Sequence, residues 1–188
     1  MPAAPASVSV HSEENAVLAQ PGKYLLFQLA GEKYGFPILQ VREIISLESI
    51  TRVPRTSECV LGVINLRGKV IPVMDLRTRF ELERIPATEE TVIIVLQCEL
   101  SDRLLTIGAV VDDVQDVTLL RAEHVSAPPL GTHLEDEFII GIGTPQEGQI
   151  IFLLDVDAII RFDEEGVLRA AGNPSANNPT SENERESK

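Results

Sequence analysis

The 188-residue sequence predicts a mainly β protein built from two similar small β-units packed side by side. Three observations predict it. Short β-prone runs recur at close spacing with glycine-bearing turns between them, the pattern of small barrels or sandwiches. Helical signals are brief. Several segments of the first half also reappear, in the same order, in the second.

Residues 1–22 are rich in Ala, Pro and Ser without an apolar period, and read as a flexible arm. Tyr24–Ala30 and Lys33–Phe36 follow as strands around a predicted turn at Gly31-Glu32. Leu61–Leu66 and Lys69–Met74 form a second pair around Arg67-Gly68. Thr91–Leu96 and Leu104–Val111 flank a polar turn over 100–103, and Ile139–Gly143 and Gln149–Leu154 flank Thr144–Gly148. Asp75 and Asp155 each cap one or two helical turns, with Leu76/Phe80 and Val156/Ile160 as apolar pairs four apart. From residue 163 onward the chain reads as an acidic, largely disordered tail.

The repeat is clearest where residues 62–75 align with 141–155, both reading strand, glycine turn, apolar strand, Asp, short helix. Upstream, Tyr24–Leu29 resembles Thr91–Leu96, Val41–Ile45 resembles Val114–Thr118, and Ile50–Pro54 resembles Glu123–Pro128. Duplication divides the body, 23–162, into units of about 23–87 and 88–162. The seam between such units is where partners tend to sit.

Charge and composition exclude several functions. With 16 basic against 29 acidic residues the formal charge is −13, opposite to what nucleic acid or an anionic membrane requires. Aliphatic runs such as Val92–Leu96 are far short of the ~20 residues of a membrane helix, so no direct membrane insertion is expected. Two cysteines make no disulfide framework, and the N-terminus lacks an export signal; a cytoplasmic protein is the simplest reading.

No catalytic set emerges. His11, His124 and His133 are not spaced as ligands, and Cys59 and Cys98 read as inert thiols. Asp112, Asp113 and Asp116 alternate across a strand without a second loop to complete a cation cage, and Glu135–Glu137 reads as a solvated run. The stretch from Gly62 to Gly68-Lys69 misses the phosphate-loop pattern, having five residues between the glycines and Val70 where a hydroxyl should hold magnesium. No cofactor and no metal are expected, and a binding module is the better reading than an enzyme. A small metal-dependent β-barrel enzyme is the alternative from another class.

The run from Gly62 to Phe80, GVINLRGKVIPVMDLRTRF, resembles the signature of the CheW family of chemotaxis coupling proteins. The resemblance extends in order through Tyr34–Ile38, Val41–Ile44, Arg52–Pro54, Thr91–Leu96, Gly108–Asp112 and Gly141–Gly143, covering about residues 23–162. It implies two five-stranded, SH3-like β-barrels around a shared core, and a non-catalytic scaffold. Such a scaffold joins the cytoplasmic tips of chemoreceptors to the regulatory domain of the histidine kinase CheA, in arrays at the membrane. Ring assembly with the kinase or with itself is implied too, and the receptor's helical hairpin is expected in the groove between the barrels. Val41, Glu43, Gly62, Asn65, Arg67 and Gly68 match the positions implied to bind partners. The same role in a pathway for pili or gliding is an alternative. Asp113 departs from the family pattern, which often has Gly there, and leaves the local turn geometry open.

Overall fold

The computed structural model describes residues 18–100, 103–128, 138–161 and 163–172. The expected arm over 1–17, the histidines His11 and His133, the acidic run 135–137 and the tail beyond 172 lie outside them. The strands are β1 (Gly22–Leu29), β2 (Glu32–Pro37), β3 (Val41–Ser46), β4 (Val60–Leu66), β5 (Lys69–Asp75), β6 (Val92–Leu100), β7 (Arg103–Val111), β8 (Asp113–Leu120), β9 (Val125–Ser126), β10 (Ile139–Gly143) and β11 (Ile151–Leu154). Short helices α1 (Leu76–Arg79), α2 (Val156–Arg161) and α3 (Glu164–Ala170) complete the fold.

Local chemistry accounts for the hairpins and caps. At the β4–β5 turn Arg67 (φ 51°) and Gly68 (φ 84°) are both left-handed, the type I′ geometry that matches strand twist. The β1–β2 turn has the same geometry at Ala30 (φ 53°) and Gly31 (φ 86°), with Leu29 paired to Glu32. It is therefore shifted one residue from the expected Gly31-Glu32, because the glycine is taken at the second turn position. Asp75 accepts a hydrogen bond from the Arg77 amide (3.0 Å), and Asp155 accepts from Asp157 (2.8 Å) and Ala158 (3.2 Å), so both predicted caps form.

The strands form two sheets, ordered β3-β6-β7-β5-β4 and β8-β1-β2-β11-β10-β9. Each curls around its own interior. Ile64, Ile71, Val73, Ile93 and Val95 fill the first, barrel B, and Tyr24, Leu26, Leu120, Ile151 and Leu153 fill the second, barrel A. The opposite faces meet in a larger shared core that includes Leu25, Phe27, Phe36, Met74, Ile94, Leu96, Ile107 and Leu154. Strand alternation enforces the division: on β6, Ile93 and Val95 face the barrel while Ile94 and Leu96 face the shared core. The sixth strand of barrel A is the two-residue β9.

The duplication is real in the geometry, but its units are not the expected sequential halves. The β5–β7 and β11–β2 pairings are parallel, and each joins one repeat to the other. Each repeat thus gives its first hairpin away: β1–β2 lies in barrel A with β8–β11, and β6–β7 lies in barrel B with β3–β5. The 23–87/88–162 division is corrected accordingly. Barrel B is the continuous stretch 41–111, and barrel A joins 22–37 to 113–154. Equivalence reaches single residues. Both Val60/Gly62 and Ile139/Gly141 carry a bulge, and the amides of Asp75 and Asp155 bond the carbonyls of Cys59 and Phe138 (2.8 Å each). Register places Tyr24 level with Ile93, two residues from the sequence alignment, because Thr118 pairs with Tyr24 where Ile45 pairs with Ile93.

The body also extends past both expected ends. Ala19 is buried and its amide bonds the Ile140 carbonyl (2.9 Å). At the other end α3 buries Val167 and Ala170, packing on β4, β5 and α2, so the tail expected from 163 begins with a folded helix. Asp163 caps it through the Gly166 amide (3.2 Å) and accepts the Ser57 hydroxyl. No residue from Asp112 to Leu120 has a positive φ, so Asp113 enters β8 in an extended conformation that needs no glycine.

Candidate functional site

Four of the six expected site residues gather at one end of barrel B. A cleft of about 530 Å³ opens there, floored by Ile71 and Val95, with Arg42, Glu43, Arg67, Lys69 and Leu104 among its rim residues. Arg67 donates to Glu43 (2.6 Å), joining the β4–β5 turn to the edge strand β3. Asn65 Oδ1 accepts the Gly68 amide (2.8 Å) and braces the turn that presents Arg67. The Arg67 side chain is 78% exposed, so its second face remains open to another acceptor.

The other two expected residues lie elsewhere and do other work. Val41 packs partly buried against the shared core, at the start of β3. Gly62 is buried, and the backbone that it admits is the chain's own. A Cβ there would lie 2.2 Å from the Thr51 carbonyl oxygen, where Thr51 and Val63 exchange two hydrogen bonds (2.8 and 2.9 Å). The close approach that Gly62 permits is thus made within the chain.

A second surface lies where the shared-core face of each sheet runs out to solvent. Ile44 on β3 pairs with Ile94, and Val117 on β8 pairs with Leu25. Both partners are shared-core residues, yet Ile44, Val117 and neighbouring Leu119 are exposed. Val41 and Val114 lead into these positions from the core, and Leu39 stands 91% exposed on the 3-10 turn beside β1 and β6. The edge strands of the two barrels therefore carry equivalent apolar stripes along the seam.

Two residues with large structural effects were not singled out in the sequence as partners. Asp112, weighed there only as a cation ligand, receives both Nε and Nη2 of Arg77 at 2.6 Å and the Ala30 amide at 2.8 Å. Arg77 also reaches the Glu83 carbonyl (2.8 Å), and its hydrogen bonds to Asp112 push its pKa upward. Asp112 is thus engaged in structure. Among the described residues no His, Cys, Asp and Glu group is placed to hold a metal ion.

Both thiols are buried, and burial pushes their pKa values up, Cys98 to about 12. A buried thiol shifted in this direction is overwhelmingly protonated and poorly reachable at pH 8. Ellman's reagent at pH 8 is therefore expected to label neither cysteine in the native protein and both in guanidinium. Rapid native labelling of Cys98 would contradict the burial. Among the described residues no helix is long and apolar enough to cross a membrane.

Known proteins share this architecture. A family model described as a CheW-like domain matches residues 23–164. The chemotaxis protein CheW of Klebsiella aerogenes is 37% identical over 147 residues, covering 78% of this chain and 86% of that protein. The chemotaxis protein CheW of Bacillus subtilis is 32% identical over 138 residues, covering 73% and 86%. Among solved structures, the scaffolding protein TtCheW from Thermoanaerobacter tengcongensis is similar with a TM-score of 0.66 and 32% identity, covering 75% of this chain and 93% of that one.

Proposed function

The chain belongs to the CheW-like domain family, and from that premise we propose that it is a non-catalytic scaffold coupling chemoreceptor tips to the histidine kinase CheA. It works in the cytoplasm and is recruited to receptor arrays at the membrane. The observation that carries this reading is the seam. Its apolar stripes, Ile44 on β3 and Val117 and Leu119 on β8, offer a helical hairpin the aliphatic surface that an amphipathic helix face needs. Completing the burial of each half-covered side chain contributes about 1 kcal/mol. Leu39 and Val41 extend the same surface at the end formed by the 3-10 turn Ile38–Gln40.

The barrel B end suits the kinase regulatory domain. Glu43, Asn65 and Gly68 hold Arg67 in place, and its planar fork takes a carboxylate or carbonyls of the partner. Val41 acts at the seam and Gly62 acts through the loop that it packs against.

Purified protein mixed with the kinase regulatory domain and a receptor-tip fragment is expected to bind both, and Ile44→Asp is expected to lose the receptor fragment while keeping the kinase domain. No complex with either, where an established adaptor binds, ends the proposal. Arg67→Ala is expected to lower receptor-dependent kinase activity several-fold. Its melting temperature should hardly move, because so exposed a pair contributes only ~0.2–1 kcal/mol. A large loss of stability would make Arg67 a structural residue instead.

A further inference from the structure

Strand β4 separates the Arg67 turn at its end from a further cleft at its start, about 20 Å away along the strand. This cleft has a volume of about 320 Å³ and is lined by Val60 and Leu61, by Ser57 and Glu58, and by Arg52 and Arg84.

Separate devices bring the two cations there. Gly62 admits Thr51 and the Arg52 Cα against β4, and the two Thr51–Val63 hydrogen bonds fix the backbone that carries Arg52. Arg84 is held from two sides, its Nε donating to the Thr78 hydroxyl (2.8 Å) and its Nη2 to the Glu58 carbonyl (3.0 Å). Among the described residues, Nη1 of Arg84 and the whole Arg52 guanidinium have no acceptor. Competition from nearby acids is weak. Glu58 Oε2 lies 3.7 Å from Arg84 Nη2, outside hydrogen-bond reach, and its side chain is 90% exposed. Asp163 is occupied by the Ser57 hydroxyl and the Gly166 amide. In a chain of net charge −13, two guanidiniums against one loosely held carboxylate are a local reversal of sign.

We infer that this cleft binds a phosphate group, with Arg52 and Arg84 as its ligands. The two oxygens of a carboxylate saturate one planar fork. A phosphate monoester brings three terminal oxygens and nearly two negative charges, enough for both. Val60 and Leu61 give the cleft an apolar side for the carbon part of a small ester, and the volume suits a small molecule. The site is distinct from the surfaces proposed for receptor and kinase.

Isothermal titration calorimetry of the full chain in phosphate-free buffer tests it, with phenyl phosphate, inorganic phosphate and succinate as probes. Phenyl phosphate is expected to bind with a Kd of about 1 mM or lower, and succinate about ten-fold more weakly or not at all. Tighter binding of phenyl phosphate than of inorganic phosphate identifies a monoester site, and equal binding a site for the free ion; both support the inference. Arg52→Gln and Arg84→Gln should each weaken phosphate binding about ten-fold or more. Arg55→Gln removes a charge from the same loop but not from the cleft lining, and should change it less than about two-fold. Circular dichroism checks that each variant is folded; should Arg84→Gln unfold, Arg52→Gln, which has no bond to lose, decides. No binding of either phosphate probe, succinate binding as tightly as the phosphates, or Arg55→Gln weakening binding as much as Arg52→Gln would overturn the inference. The experiment contains no kinase and no receptor, so its failure leaves the coupling proposal untouched.

Discussion

Gly62→Ala is expected to cost about 3 kcal/mol or more and to lower the melting temperature by roughly 6–12 °C. The methyl group would meet the Thr51 carbonyl oxygen at 2.2 Å and the Arg52 Cα at 2.9 Å, contacts with backbone that no rotamer relieves. The residue also sits at φ +147°, a conformation costly for any side chain. Gly68→Ala is the control. Its φ is also positive (84°), but a Cβ there has nothing within 4 Å, so only the conformational cost, about 1 kcal/mol, applies. Equal losses at the two positions would show that close approach is not what Gly62 provides.

Asp112→Ala is expected to be the other severe substitution, at about 2–3 kcal/mol, a fall in melting temperature of roughly 5–10 °C. It strips two of the three hydrogen bonds from the Arg77 guanidinium, whose side chain is only 12% exposed, and releases the Ala30 amide of the β1–β2 turn. Since that turn belongs to the first repeat and α1 follows β5, the pair ties the exchanged hairpin of barrel A to barrel B. Arg77→Leu alone should be comparably harmful, whereas the double variant should cost less than the sum, because no charge is left unpaired. Strict additivity in that cycle would mean that the two groups act independently. The repeat offers its own comparison: Asp157, the equivalent of Arg77, bonds the Glu99 amide directly (2.8 Å), so one carboxylate serves there where two side chains serve here.

What the sequence revealed were features written in neighbouring residues. Hairpins with glycine at the second turn position, aspartates at helix starts and the order of the repeats are local patterns, and the structure carries them. Strand partnership is not local. The apolar alternation of β1 suits β3 as well as β8, and nothing in its residues tells which repeat will accept the hairpin. Helix α3 was missed because Glu164–Ala170 includes a glycine and adjoins a polar tail. Its signal was present in Asp163 as cap, acids in the first turn and Arg169 in the last.

The run Gly62–Phe80 shows how a signature can disclose a family through residues that mostly build the fold. Gly62 admits Thr51, Asn65 braces a turn, Asp75 caps α1, Leu76 is buried and Arg77 holds Asp112. Phe80 stacks on Phe138 with ring centroids 4.6 Å apart. Most of these residues build the barrels, and Arg67 is among the residues of the run left exposed to solvent. The seam residues Ile44, Val117 and Leu119 gave no motif, because an exposed aliphatic residue on an edge strand reads like any other strand position until the opposite barrel is in place.

The most direct test of the coupling account is reconstitution: autophosphorylation of the cognate kinase, measured with its receptors in membranes, with and without this protein. The account predicts that adding the protein raises kinase activity and makes it respond to receptor ligand, and that Ile44→Asp abolishes both effects. Kinase activity that is the same with and without the protein, across saturating concentrations, would contradict it.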